Sequence, residues 1–278
     1  MMRRLLLPVL AGWMGSASAA DLPVPSMTWD KDMLQVTAAG LPGKSIEIWY
    51  LEAYCRPGAH TQDWNKTVIG HTTTLVERTP DGRRLVLRCE VADGVRVEHT
   101  LTASPGAIDF YIVARNPTKK RSEVHWAQPC IRVGPFTGTQ QDPDKYAYVP
   151  KCFVHVDGKR AFLPTEPWET EAKYTPGQVW RAPGVPAADV NPRPLNPVVP
   201  SNGLIGCVSA DKSWTLGITF DPWHELFQGV IRCIHNDFRI GGLEPGESKI
   251  VTGRLYLQPG TPDDVLKRYR ADFGSGDR

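Results

Sequence analysis

The chain has 278 residues, with 32 Lys and Arg against 30 Asp and Glu and a formal charge of +2. That near-neutral balance argues against nucleic-acid binding, which calls for a basic patch or stripe. The length suffices for one large β domain or two small ones.

The first element reads as a leader. Arg3 and Arg4 precede an apolar run from Leu5, and Ala17-Ser18-Ala19 supplies the small residues of a cleavage site, so 1–19 is expected to be a Sec-type signal peptide. The paired arginines fit twin-arginine export less well, because the rest of that signal is missing. Cleavage would remove two arginines and no acids, leaving 259 residues of formal charge 0. No later stretch approaches the roughly 20 apolar residues that span a bilayer, so no membrane anchor is expected and the mature chain reads as secreted or periplasmic. In such a compartment the six cysteines (Cys55, Cys89, Cys130, Cys152, Cys207, Cys233) permit up to three disulfides. None forms a Cys-x-x-Cys pair. Several sit in alternating strand patterns, where a buried free thiol reads equally well.

Period-two alternation then dominates. Leu85, Leu87 and Cys89 share a face, as do Val95, Val97, His99 and Leu101, and then Ile108, Phe110, Ile112 and Ala114. Pro80-Asp81-Gly82, Asp93-Gly94 and Ser104-Pro105-Gly106 punctuate these runs, which predicts an antiparallel meander. The stretch 123–138, EVHWAQPCIRVGPFTG, reads as its last strand. Its pleat sets His125, Ala127 and Ile131 against Trp126, Gln128, Cys130 and Arg132, with a bulge or edge position expected near Pro129.

Residues 135–200 hold twelve of the 25 prolines and one evident hairpin, 152–156 with 159–163 around Asp157-Gly158. Tyr146, Tyr148, Trp168, Tyr174 and Trp180 argue that this Pro-rich insertion is ordered and lies across a sheet. Strands are expected to resume at 203–210, 213–220, 228–235 and 249–258. A terminal helix follows, with Thr261 as N-cap, Pro262 at N1, acidic Asp263 and Asp264 in the first turn, and Val265, Leu266, Tyr269 and Phe273 as its buried stripe. The expected fold class is all-β: a single large antiparallel β-sandwich over 20–278 with one C-terminal helix.

Three segments together resemble the galactose-mutarotase-like β-supersandwich superfamily, in an exported bacterial branch. They are DGVRVEHTLTASPGAIDFYIVARNPTKKRSEVHWAQPC, GGLEPGESKIVTGRLYL with its L-x-PGE turn into a closing strand, and the helix DDVLKRYRADF. The resemblance implies a concave sheet that binds a saccharide without a cofactor. In sugar epimerases of this fold a histidine protonates the ring oxygen and a glutamate takes the anomeric proton. His125 lies on the matching strand. The epimerases' His-x-Tyr-Phe-Asn string is replaced by Trp126-Ala127-Gln128-Pro129, and their Asn-Arg-[Ile/Val] signature is absent, so the fold transfers better than mutarotation does.

The residues themselves suggest where chemistry could sit. His60 and His71 flank a loop entering a strand, His125 lies in the stretch above, His224 and Glu225 occupy DPWHELFQG, and His235 ends an expected strand. Imidazoles near strand ends can shuttle protons or bind metal. The plainer reading of each is a polar strand residue with a satisfied hydrogen bond, and His99 and His155 read so most directly. No His-x-x-x-His spacing announces a metal site, and none is assigned; convergence of His60, His71, His125 and His235 is the metal alternative. His224 and Glu225 would face opposite ways in a strand and could act together in a turn. Pyranose rings pack on aromatic planes and bond through planar polar groups. Trp64 beside Asp63, Trp126 beside Gln128, Trp180 beside Arg181, and Trp223 offer that pairing, whereas Trp49 and Trp214 are expected in the core. The leading expectation is therefore saccharide binding with acid–base chemistry by His125, Glu225 and His224. The binding set would be Trp126, Gln128, Trp64, Asp63, His60, His71, Trp180, Arg181, Trp223 and His235. A non-catalytic carbohydrate-binding module and a metal-dependent enzyme are the alternatives.

Overall fold

The computed structural model of the protein describes residues 19–165, 178–191 and 194–274. The expected leader, apart from Ala19, lies outside the described residues, as do Trp168 and Tyr174. Seventeen strands are described: β1 (Ser26–Asp30), β2 (Met33–Thr37), β3 (Ile46–Cys55), β4 (Val68–Ile69), β5 (His71–Arg78), β6 (Arg84–Val91), β7 (Arg96–Ser104), β8 (Ala107–Arg115), β9 (Trp126–Arg132), β10 (Cys152–Val156), β11 (Lys159–Phe162), β12 (Val179–Arg181), β13 (Ile205–Val208), β14 (Trp214–Asp221), β15 (Trp223–Gly229), β16 (Cys233–Arg239) and β17 (Ser248–Pro259). They form two antiparallel sheets. One runs β11-β10-β13-β14-β17-β8-β7-β6-β5; the other runs β1-β2-β3-β9-β16-β15-β12, with β4 on β3.

The meander appears as β5 to β8, with register Leu87↔His99 and His99↔Ile112 across its middle. Alternate residues such as Leu85, Leu87, Val97, Leu101 and Ile112 are buried and face Ile48, Ala127, Ile131, Ile234 and Phe238 of the second sheet in one continuous core. Each such side chain contributes about 1.5–3 kcal/mol through removal from water. His99 sits in this core, as its phase implies. Its Nδ1 lies 2.8 Å from the Tyr50 hydroxyl and its Nε2 3.0 Å from that of Tyr54, so it joins the two sheets through β7 and β3. Burial pushes its pKa down to about 3, leaving it neutral. His155 is likewise buried in its hairpin, edge-on to Phe153, and is pushed down to about 4 by burial.

Three expectations are corrected. First, 123–138 does not end the meander: β9 crosses to the other sheet and pairs with β3 and β16, a central position. Pro129 lies inside it, and the register irregularity falls on the partner strand, between Trp49 and Ala53 of β3. Second, 228–235 is not one strand; it spans the turn between β15 and β16, where Arg232 takes φ 54°. Third, Trp49 is 36% exposed rather than core, whereas Trp214 is buried at 6%. The cysteines take the free-thiol reading, since all six are buried and none is in a disulfide.

Helix α1 (Pro262–Phe273) matches its expected boundaries. The Thr261 side chain accepts from the Asp264 N–H, and the Asp264 carboxylate accepts from the Thr261 N–H at 2.8 Å, a complete capping box. Thr261→Ala should therefore cost about 1 kcal/mol, read as a shifted urea midpoint at unchanged slope. An unshifted midpoint would show that the cap contributes nothing. Among the described residues, no helix is long and apolar enough to cross a membrane.

Candidate functional site

Alternation in the second sheet puts Ile131, Leu226, Ile234 and Phe238 into the core and turns Trp126, Gln128, Cys130, Glu225, Cys233, His235 and Asp237 to its outer face. An outer sheet face bearing so many polar groups would normally meet water. Here a segment from the Pro-rich insertion, 182–191, lies on it and excludes solvent: Glu225, Asp237 and His224 are 0% exposed.

That segment is held by hydrogen bonds from side chains named above. The Asn191 N–H donates to Glu225 Oε2 at 2.8 Å, and Asn191 Nδ2 donates to Gln128 Oε1 at 3.0 Å. Gln128 Nε2 in turn donates to Glu52 Oε2 at 2.9 Å. The Gly58 N–H donates to Asp189 Oδ1 at 3.0 Å, and the His60 N–H to the Ala188 carbonyl at 3.1 Å. Arg181 Nη1 donates to the Val185 carbonyl at 2.6 Å.

His224 and Glu225 come together by a route the sequence did not offer. The segment is a strand, not a turn, but the register shifts between Trp223 and Glu225, leaving His224 as the extra residue of a bulge. Bulges re-aim side chains in this way. His224 Nε2 then lies 3.9 Å from Glu225 Oε2. Arg239 Nη1 lies 3.1 Å from His224 Nδ1 and, being only a donor, makes Nδ1 the acceptor. Nε2 therefore carries the proton and donates to the Asp189 carbonyl at 3.2 Å. Burial first, and then the Arg239 charge, push this imidazole down to about 3. It is a neutral, fully bonded group.

His125 stands at the margin of the covered area, its side chain 15% exposed, with Nδ1 3.8 Å from Asp189 Oδ2. Burial lowers its pKa, Asp189 raises it, and Arg239, Arg121 and Lys249 lower it further. Its backbone is fixed on both sides: the His125 N–H donates to the Cys55 carbonyl at 2.8 Å, and the Ile240 and Gly241 N–H groups donate to its carbonyl at 2.8 and 2.7 Å. Gly242, at φ +78°, leaves room for the ring, since a Cβ there would lie 3.3 Å from His125 Nε2.

The structure thus gathers His125, His224, Glu225, Gln128, His60 and Arg181 around one segment. It does not gather the others. Trp126 and Trp180 are 0% exposed. Trp126 stacks on His224 at 5.1 Å and meets Trp64 at 6.4 Å, while Trp180 points into the core between the sheets. Neither presents a face on which a sugar could stack. Trp64, Asp63 and Trp223 keep partial or full exposure at the rim. The four histidines of the metal alternative do not converge: among the described residues no three of them bring ligand atoms within 4.8 Å of one another. A surface cleft of about 430 Å³ opens elsewhere, lined by Ser45, Glu47, Arg132, Pro135, Gln140 and Ile231. Asp189, Asn191, Glu52 and Arg239 were missed in the sequence reading; only the path of the covering segment makes them neighbours, and nothing in their local pattern marks them.

No family model matches the chain, and no curated protein does. Solved structures do. The resemblance is to galactose mutarotase-like proteins. The chain is similar to one from Lactobacillus casei ATCC 334 (9% identity, TM-score 0.42, covering 84% of this chain and 100% of that one). It is also similar to one from Clostridium acetobutylicum (8% identity, TM-score 0.42, 84% and 95%). A glycosyl hydrolase family 38 protein from Enterococcus faecalis matches at 10% identity and TM-score 0.49, over 96% of this chain and 34% of that one.

Proposed function

We propose that this is an exported carbohydrate-active protein that binds a saccharide at the rim of the covered sheet face, with His125 and Asp189 supplying acid–base chemistry. The carrying observation is that pair: an imidazole and a carboxylate 3.8 Å apart, both partly open, at the edge of an otherwise sealed polar network. Burial favours the neutral form of His125, which can accept a proton from a sugar hydroxyl or a water. The Asp189 carboxylate then stabilises the imidazolium. At the rim, the exposed Asp63 and half-buried Trp64, together with His60, whose N–H donates to the Ala188 carbonyl, offer polar partners and an aromatic plane for a pyranose. Glu225 and His224 act through position, fastening the segment that carries Asp189.

The second reading, binding without chemistry, is favoured by one observation: His224 and Glu225 are wholly buried and engaged with the covering segment. A glycan screen of the purified protein, reading bound sugar together with new reducing ends or unsaturated products, separates the two. We expect a saccharide that binds and is converted, with His125→Gln and Asp189→Asn each slowing conversion at least tenfold while binding changes little. Binding without product assigns the protein to the module class. No binding to any glycan overturns both readings.

A further inference from the structure

A second cluster lies on the same outer face, away from His125, and the saccharide reading does not use it. Cys233 and His235 are two apart on β16 and so point the same way. The register that pairs Ile234 with Ile131 and Phe238 with Ala127 sets Cys130 of β9 opposite His235. Sulfur, sulfur and nitrogen converge: one ligand atom from each of the three side chains lies within 4.8 Å of the others. Cys233 Sγ is 3.2 Å from His235 Nε2. All three residues are buried, at 1%, 1% and 2% exposure.

Three features around the cluster point the same way. His235 turns its other nitrogen, Nδ1, toward Asp237 Oδ1 at 3.7 Å, a few tenths of an ångström short of the hydrogen bond by which an outer carboxylate orients a metal-bound imidazole. Phe227 stacks on the ring at 4.2 Å and fixes its plane. Gly229, on the neighbouring strand, lets the donors crowd against its backbone: a Cβ there would fall 2.2 Å from Cys233 Sγ and 3.0 Å from His235 Nε2. A Cys130–Cys233 disulfide would use the two sulfurs but would give no role to His235, Asp237 or the missing side chain at 229.

We propose that Cys130, Cys233 and His235 form a binding site for a soft d¹⁰ cation of the Zn²⁺ class, with Asp237 as the residue that positions His235. Two thiolates and an imidazole are the donor set such ions prefer, with metal–sulfur and metal–nitrogen distances of about 2.3 and 2.0–2.1 Å. Tetrahedral ligands at those lengths stand about 3.5 Å apart, so the pair at 3.2 Å needs to open by only a few tenths of an ångström. Two thiolates neutralise a dication, which offsets the cost of burying it, and a water molecule would complete the tetrahedron.

The inference is independent of any saccharide, and so is its test. The full chain, purified under reducing conditions, is titrated with Co²⁺ as a spectroscopic stand-in and then with Zn²⁺. We expect one cobalt per chain, with thiolate-to-cobalt charge-transfer and tetrahedral ligand-field absorption, displaced by zinc. Cys233→Ser should abolish those bands and Cys130→Ser should weaken binding at least tenfold. In the wild-type protein, bound zinc should shield two thiols from alkylation, a readout that needs no variant to fold. A folded, reduced protein without cobalt–thiolate absorption overturns the site. So does a Cys130–Cys233 disulfide that persists in the protein as isolated while the metal-loaded form cannot be made.

Discussion

Trp126→Ala should lower the free energy of unfolding by about 3–5 kcal/mol, the range for removing a large buried aromatic side chain. The ring is 0% exposed, stacked on His224, flanked by Trp64, and packed with Ala53, Cys55 and Ala59. Its removal opens a cavity that the rigid strands β3 and β9 cannot close. It also admits water to His224, which is neutral because it is dry. A tryptophan serving as an open sugar platform would behave in the opposite way, losing ligand affinity on substitution with little cost in stability. Urea unfolding followed by fluorescence and circular dichroism decides the matter. A loss below about 1 kcal/mol would mean that the covering segment does not seal the ring in solution, and Trp126 would return to the set of sugar-stacking candidates.

The same residue shows why one half of the sandwich was legible in the sequence and the other was not. In β6 and β7 one face meets the core and the other meets water, so burial alternates and the residue types alternate with it. Strands, turns and the core role of His99 follow directly. In β9, β15 and β16 nearly every residue is buried, because the segment 182–191 covers the outer face of their sheet. The pattern a strand usually prints on its sequence is erased there. Hence β15 and β16 were merged across their turn, and Trp126 looked like a surface residue set among polar ones. The polar residues were real signals of something unusual on that face. What they signalled was the contact with the covering segment, whose key members, Asp189 and Asn191, sit in a stretch with no periodicity. Even the His224–Glu225 approach depends on a bulge, which a count of alternating positions cannot reveal.

Acid should destabilise this protein well above the pH at which carboxylates titrate. His99 and His224 are held down to about 3 and His155 to about 4, in each case first by burial, so all three remain neutral in the fold at pH 5. In the unfolded chain each titrates near 6.5. Between about pH 6.5 and 4 the unfolded state therefore binds up to three more protons than the native one, and stability rises with pH across that window and falls as pH drops through it. Each group is worth about 1.4 kcal/mol per pH unit at full effect, so the combined slope near pH 5 should be on the order of 4 kcal/mol per unit. His235 adds no slope there. In the metal-free chain burial opposes its charge, but Cys233 and Asp237 outweigh burial and push it up to about 10, so below about pH 5.5 it is protonated in both states. His99→Gln keeps a planar polar group between Tyr50 and Tyr54 while removing one titrating site. Denaturant midpoints measured from pH 6.5 to 4.5 should give a variant curve shallower by about one proton, whatever its absolute offset. A variant slope equal to that of the wild type would mean that His99 is already protonated in the folded core, and the neutral link between β7 and β3 would have to be abandoned.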